Sequence, residues 1–292
     1  MGSLSDLIAA STAGQRVFQM FMKLHPNAAG TAATWHSPWT YGGFPAAGDV
    51  SGAALTAVQC TTSTTGSLYH GGAVTPLTKH LTKVGLMCSG SNMVPGAILV
   101  YDRLLYYPGI DASVNTSQAL TNGVALPRYT DGLGVRAWLE VTTVFGAVIG
   151  VFTYGTSGYT NSAGDTGRQH GVTCNTTASS PVNRLPHSGS TAQNNMWNPF
   201  LPMQAGDRGI RSVQSVRFTT APSSGACALV LGYPLALFPI PDNNAYVERD
   251  LIFQTPSLPR IYDGACLSFL YVPLTAVQAN SVLLGDVEAI WL

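Results

Sequence analysis

Leu126-Pro127-Arg128-Tyr129-Thr130-Asp131-Gly132 returns 132 positions later as Leu258-Pro259-Arg260-Ile261-Tyr262-Asp263-Gly264. Other echoes keep the same order. Val84 and Leu86 answer to Val216 and Phe218. Gly96-Ala97-Ile98-Leu99-Val100 answers to Gly225-Ala226-Cys227-Ala228-Leu229-Val230, with one extra residue, and Pro108-Gly109-Ile110-Asp111 to Pro239-Ile240-Pro241-Asp242. A period this long marks a duplicated domain, not a solenoid unit. Two linked copies of one domain form a building block more often than an enzyme.

The material around the repeated segment reads as β. Ala57 to Thr62, Leu81 to Cys88, Ala97 to Tyr107, Val135 to Val144 and Ala147 to Tyr154 are rich in Val, Tyr, Phe and Thr. So are Gly171 to Thr177, Val213 to Thr219, Cys227 to Phe238, Leu267 to Val272 and Asp286 to Leu292. Gly, Pro, Ser and Asn clusters bound these runs, as they bound strands. The expected fold is all-β: two tandem duplicated domains of β-sandwich or jelly-roll type behind an N-terminal helical arm. The expected division is 1–56 for the arm, 57–170 for the first copy and 171–292 for the second.

Residues 3 to 24 read as the one long helix. Leu4, Leu7, Ile8, Ser11, Val17, Phe18, Phe21 and Met22 fall largely on one face at helical spacing, and His25-Pro26 stops the run. The second half has no copy of it. It either packs on the first β-domain or docks onto another subunit. Residues 27 to 56 follow as a Gly/Ala/Pro loop carrying Trp35, Trp39, Tyr41 and Phe44. These aromatics either anchor an interface, where large rings bury much area at low entropic cost, or plug the end of the neighbouring domain. A second long loop, 178 to 206, carries Met196-Trp197-Asn198-Pro199-Phe200. The candidate interface set is therefore Leu7, Phe18, Phe21, Trp35, Trp39, Tyr41, Phe44, Trp197 and Phe200.

Only 10% of residues are charged and the formal net charge is zero, against about 25% charged in ordinary soluble domains. A free monomer keeps a charged surface for solubility, whereas the centres of subunit interfaces are depleted in charge. The composition points to a surface covered by neighbours, with a secreted β-protein of Ser/Thr-rich surface as the alternative. Lys and Arg are scattered singly, so direct nucleic-acid binding has no electrostatic footprint. No apolar stretch is long enough to span a bilayer, and the N-terminus lacks the pattern of a signal peptide. The cysteines, Cys60, Cys88, Cys174, Cys227 and Cys266, are odd in number and form no C-x-x-C pair, which suits reduced thiols in a cytosol.

No G-x-S-x-G elbow, Walker loop or H-E-x-x-H occurs. Gly132-Leu133-Gly134 precedes a strand instead of a helix, which voids a dinucleotide reading. His25, His36, His70, His80, His170 and His187 show no metal-ligand spacing. Asp242, Glu248 and Asp250 lack a calcium-loop pattern. No catalytic, metal or cofactor site is expected. The repeated motif itself reads as a structural corner. Arg128 with Asp131, and Arg260 with Asp263, stand where a turn can bring each pair together. Each arginine is expected to find an acidic group or carbonyl within its own copy, with Arg260→Ala lowering the unfolding midpoint.

The segment Leu258-Pro259-Arg260-Ile261-Tyr262-Asp263-Gly264-Ala265-Cys266-Leu267, the preceding Val247-Glu248-Arg249-Asp250-Leu251 and the charge-poor, Gly/Thr/Ala-rich chain resemble virion structural proteins of tailed bacteriophages. The resemblance is compositional and carries over no catalytic residues. It implies a non-enzymatic virion component made in the host cytoplasm, partnered by copies of itself and by other capsid proteins. A capsid decoration or cement protein fits best. A double jelly-roll major capsid protein and a tail or neck component are the alternatives within a virion. Outside it, the alternative is a carbohydrate-binding β-sandwich stacking sugars on Trp35, Trp39, Tyr41 and Trp197.

Overall fold

The computed structural model describes residues 4–25, 32–89, 95–170, 172, 174–188, 198–254, 258–275 and 281–292. One helix, α1 (Leu4–Thr12), precedes the strands. These are β1 (Arg16–Leu24), β2 (Gly43–Phe44), β3 (Val58–Gln59), β4 (Lys79–Ser89), β5 (Gly96–Asp111), β6 (Gln118–Ala119), β7 (Arg136–Thr143), β8 (Val151–Thr153) and β9 (Tyr159–Asn161). There follow β10 (Cys174–Asn175), β11 (Ile210–Val213), β12 (Ser215–Thr220), β13 (Ala226–Ile240), β14 (Val247–Asp250), β15 (Arg260–Ile261), β16 (Leu267–Pro273) and β17 (Val282–Trp291). The chain is mostly β, and the ladders between these strands are antiparallel.

The central sheet has the order β16-β5-β13-β7, with β3 also on β5. Its two long strands are its axis. β5 and β13 pair from Gly96↔Ile240 to Asp111↔Ala226, with bulges near the middle. Every residue from Ile98 to Tyr107 is buried. That is why this stretch reads as an apolar run, broken only by Asp102 and Arg103, and not as an alternation: both faces of the strand are covered. A second sheet, β14-β4-β17-β1-β2, lies over one end of the central sheet, and a third, β10-β8-β12-β6, over the other end.

Three cores result. At one end Leu81, Val84 and Leu86 meet Ile98, Val100, Phe238, Phe269 and Val287. At the other end Val216 and Phe218 meet Leu105, Tyr107, Leu229, Leu139 and Phe152. On the opposite face of the central sheet, Trp35 and Trp39 cover Leu99, Tyr101, Trp138 and Leu270. The sheets draw on both halves of the chain. β5 and β4, from within 57–170, pair with β13 and β17, from within 171–292. The strand assignments of the sequence therefore meet an interleaved arrangement in place of two sheets systems divided at residue 170. Strand periodicity is a local signal; the choice of partner strand is not.

The expected helix over 3 to 24 is half strand. α1 ends at Thr12, and Gly14 takes the left-handed region at φ +75°, which glycine occupies without steric cost. β1 then pairs with β17 from Arg16↔Ile290 to Leu24↔Val282. Its inward side carries Val17, Phe21 and Lys23, its outward side Phe18, Met20, Met22 and Leu24. Apolar residues on both sides of a strand mimic a helical stripe, and the tertiary pairing overrides the local signal. The inward Lys23 is held by the carbonyls of Tyr41, Pro45 and Ala46 at 2.8–3.2 Å, and burial lowers its pKa to about 8.

All five cysteines are buried and none is in a disulfide. Burial pushes the Cys88 and Cys174 thiols up to about 12, which keeps them as unreactive thiols. Treatment with reductant is accordingly expected to leave the unfolding midpoint unchanged in differential scanning calorimetry. A fall of several degrees would reveal a stabilising disulfide.

Candidate functional site

The repeated motif does not pair with itself. Tyr129 takes the left-handed region at φ +51° and Gly132 at φ +77°, and the turn closes through the Gly132 N–H to the Tyr129 carbonyl at 2.7 Å. This turn aims Arg128 away from Asp131 and into the chain. Arg128 is buried and forks onto Asp102, with Nε and Nη2 at 2.8 and 2.7 Å from the two oxygens. Its Nη2 also reaches the carbonyls of Cys60 and Arg103 at 3.2 and 3.1 Å. Asp102 accepts a further bond from the Cys266 N–H at 2.9 Å. Asp131 stays exposed and accepts the Leu133 N–H at 3.0 Å.

The second copy is built differently. Arg260 is exposed, and its guanidinium lies over the Tyr262 ring at 4.3 Å. Asp263 accepts the N–H groups of Val74 and Thr75 at 3.0 and 3.2 Å and the Thr75 hydroxyl at 2.6 Å. The buried Lys79 stands 3.6 Å away. So of the four corner residues, Arg128 and Asp263 are tied into the fold, while Asp131 and Arg260 face solvent. The expected pairs Arg128–Asp131 and Arg260–Asp263 do not form, because the left-handed turn at Tyr129 and the stacking of Arg260 decide where each side chain goes.

The two motif copies nevertheless meet in space. Tyr129 stacks parallel to Tyr233 at 3.9 Å and stands edge-on to Tyr262 at 5.0 Å. This contact forms the floor of a cleft of about 970 Å³, lined by Tyr129, Tyr233, Tyr262, Leu133, Leu235, Pro259 and the arginines Arg136, Arg208 and Arg260. Two smaller hollows, of about 340 and 390 Å³, adjoin it, and Tyr262 lines all three. The Tyr129 hydroxyl is buried with no hydrogen-bond partner among the described residues, and burial raises its pKa far above the usual phenol value. Sequence reasoning missed this cleft. Tyr129 and Tyr262 stand inside the repeat, but nothing local shows that the two copies touch.

It also missed Arg103. Asp102 and Arg103 are adjacent charges inside the apolar run Leu99 to Leu105, and that juxtaposition was the available signal. Arg103 points to the opposite face from Asp102 and forks onto Glu140 at 2.9 Å through both Nη atoms. Its plane lies 4.7 Å from the Trp39 ring and 5.5 Å from Tyr106. Trp138 donates its indole N–H to Glu140 at 2.9 Å.

The expected interface aromatics separate into two groups. Trp35, Trp39, Tyr41 and Phe21 are buried in the chain's own cores, with Trp39 only 1% exposed. They plug the fold and offer no sugar-stacking face. Phe18 and Phe44 are 50% and 57% exposed, and Leu7 and Phe200 are half-buried. Trp197 lies outside the described residues. The exposed members belong to the outer face of the β14-β4-β17-β1-β2 sheet. There Phe44, Met22, Leu284 and Met87 stand opposite one another on four successive strands, and directly opposed residues share a face. Phe18, Met20 and Leu24 extend the patch along β1, and Leu4 and Ile8 of α1 are exposed at its end. Glu288 and Asp286 stand directly opposite Phe18 and Met20 on β17, and Lys83 lies 3.6 and 3.4 Å from Asp286 and Glu248, so charged groups border the patch on that side. Among the described residues no group of three or more His, Cys, Asp or Glu could hold a metal ion, and no helix is long and apolar enough to cross a membrane.

No protein-family model matches the sequence, and no curated protein matches it. Among solved structures, the chain is weakly similar to the VP2 subviral particle of infectious bursal disease virus, with 8% identity over 95% of this chain and 80% of that one. It is similar to the same extent to a structure of the virus's Gx strain, at 9% identity over 95% and 80% of the two chains. The TM-score is 0.17 in both cases, a likeness too slight to carry an argument about fold or function.

Proposed function

We propose that this chain is a non-enzymatic structural protein of a phage virion, a capsid decoration or cement protein that strengthens a shell through subunit contacts. The observation that carries the reading is the outer sheet face: Phe18, Met20, Met22, Leu24 and Phe44 are exposed side by side in a chain with only 10% charged residues. Contiguous exposed apolar surface with a polar rim is the signature of a protein contact. The partners are copies of the chain and other capsid proteins, reached after synthesis in the host cytoplasm. The carbohydrate-binding alternative loses three of its four stacking rings, since Trp35, Trp39 and Tyr41 are buried; the fourth, Trp197, lies outside the described residues.

The duplication fits this reading as an interleaved pair. The antiparallel β5–β13 axis supports it, as does the matched pairing of β16 with β5 and β7 with β13. Leu126 sits in one end core and Leu258 in the other. A chain built around such an axis presents two similar ends, of which one carries the added α1 and β1.

The test is the double variant Phe18→Asp/Met20→Asp, followed by cosedimentation with particles. Both side chains point outward, so the chain is expected to stay folded at a cost of about 1–2 kcal/mol from the new carboxylates opposite Glu288 and Asp286, while particle binding is lost. Deleting residues 1–13 is the matching truncation, because deletion through residue 24 would also remove β1 and the core residue Phe21. A variant that joins particles at full occupancy, or an intact chain that stays monomeric and binds no particle, overturns the proposal.

A further inference from the structure

The cleft where the two motif copies meet lies outside the apolar face, and its chemistry is different. Arg136, Arg208 and Arg260 all line it, in a chain with 14 Lys and Arg in total. Among the described residues, none of the three has a carboxylate partner. Arg136 reaches the Met203 sulfur at 3.3 Å. Two carboxylates share the cleft, Asp131 and Asp207. Asp207 is already neutralised from outside it by Arg168, at 2.9 and 3.2 Å, and takes further bonds from Tyr159 and Asn161. The cleft therefore holds a surplus of guanidinium groups in a chain of zero net charge. Guanidinium forks are matched to carboxylates, and Arg260, held over the Tyr262 ring at 4.3 Å, still has its N–H groups to offer a carboxylate.

The shape and the apolar part narrow the ligand. The cleft runs on into two hollows through Tyr262, so it suits something elongated. Leu133, Leu235 and Pro259 offer apolar contacts between the arginines. One edge of β15 is spent on β4, to which Ile261 turns its main-chain groups, and among the described residues no strand pairs with the other edge, which leaves the main-chain groups of Arg260 for an extended chain to meet. Sugar recognition needs open ring faces. Here Tyr129 and Tyr233 cover each other, and Arg260 covers Tyr262.

We propose that this cleft binds an extended acidic peptide segment of a partner protein, its carboxylates held by Arg136, Arg208 and Arg260 and its apolar side chains by Leu133, Leu235 and Pro259. The proposal does not rest on the virion reading. It is tested on the isolated chain by fluorescence anisotropy with a labelled peptide of alternating Asp and Leu, a peptide of alternating Asn and Leu, and oligogalacturonate as an acidic sugar.

The Asp–Leu peptide is expected to bind, with an affinity that falls as salt is added, and the Asn–Leu peptide to bind far more weakly. Arg208→Ala/Arg260→Ala is expected to weaken the Asp–Leu peptide at least about tenfold with at most a small fall in the unfolding midpoint, since both side chains are exposed. Phe18→Asp/Met20→Asp is expected to leave peptide binding intact, which separates this site from the particle-docking face. Absence of peptide binding, equal binding by the arginine variant, or oligogalacturonate binding as tightly as the peptide overturns the proposal.

Discussion

Arg103→Met is expected to destabilise the chain by about 3–5 kcal/mol, because it leaves the Glu140 carboxylate buried without its counter-charge. The pair is fully enclosed: the two side chains are 0% and 5% exposed. The guanidinium also lies over Trp39 and Tyr106, 4.7 and 5.5 Å from their ring centroids, so its loss removes one of the contacts that hold Trp39 against the central sheet. Equilibrium denaturation in urea would measure the effect. Arg103→Met/Glu140→Gln is expected to recover a large part of it, since replacing both charges removes the unpaired ion. A single variant as stable as the wild type would mean that water reaches Glu140.

The same pair sets an acid limit. Burial pushes the Glu140 carboxyl up, but the Arg103 charge and the bonds from Arg103 and Trp138 outweigh it and hold its pKa below the ordinary 4.5. A carboxylate with a depressed folded pKa contributes stability that is present above its unfolded pKa. That stability is lost as pH falls through the folded value. The wild type is therefore expected to lose stability progressively below the usual Glu range, and Glu140→Gln to lose this part of the slope.

Arg128→Met is expected to cost about 3–5 kcal/mol by the same mechanism, leaving Asp102 buried and unpaired. Arg260→Ala, at the equivalent position of the repeat, is expected to cost no more than about 1 kcal/mol, because its side chain is exposed and contributes only a surface contact. Thermal unfolding of the two variants side by side checks the contrast. Equal losses would show that Arg260 is as structural as Arg128. The comparison matters because the two arginines hold the same place in the repeated motif: each follows Leu-Pro and stands three positions before Asp-Gly.

Much of the β content was legible in the chain. The runs from Leu81, Ala97, Val135, Cys227 and Leu267 are the strands β4, β5, β7, β13 and β16, since β-branched and aromatic residues between turn formers report a local preference. The region after residue 13 misled, because the two-sided apolar pattern of β1 satisfies a helical spacing nearly as well as a strand. The candidate site was legible only in part. The repeat pointed to Arg128 and Asp263, but it could not show that one arginine reaches β5 while the other stacks on a tyrosine.

What the sequence by itself determined is the kind of chain this is: strand-rich, poor in charge, duplicated in its motifs, with buried thiols. Those properties follow from composition and from periodicities of a few residues, which short-range sterics and burial write directly into the order of amino acids. Only the tertiary structure decided that strands from the two halves share sheets, that Trp39 caps a buried Arg103 instead of meeting a neighbour, and that Tyr129, Tyr233 and Tyr262 come together over three arginines. Each of these depends on which distant residues fill the same space, and a contact between residues more than a hundred positions apart leaves no periodic trace in the chain.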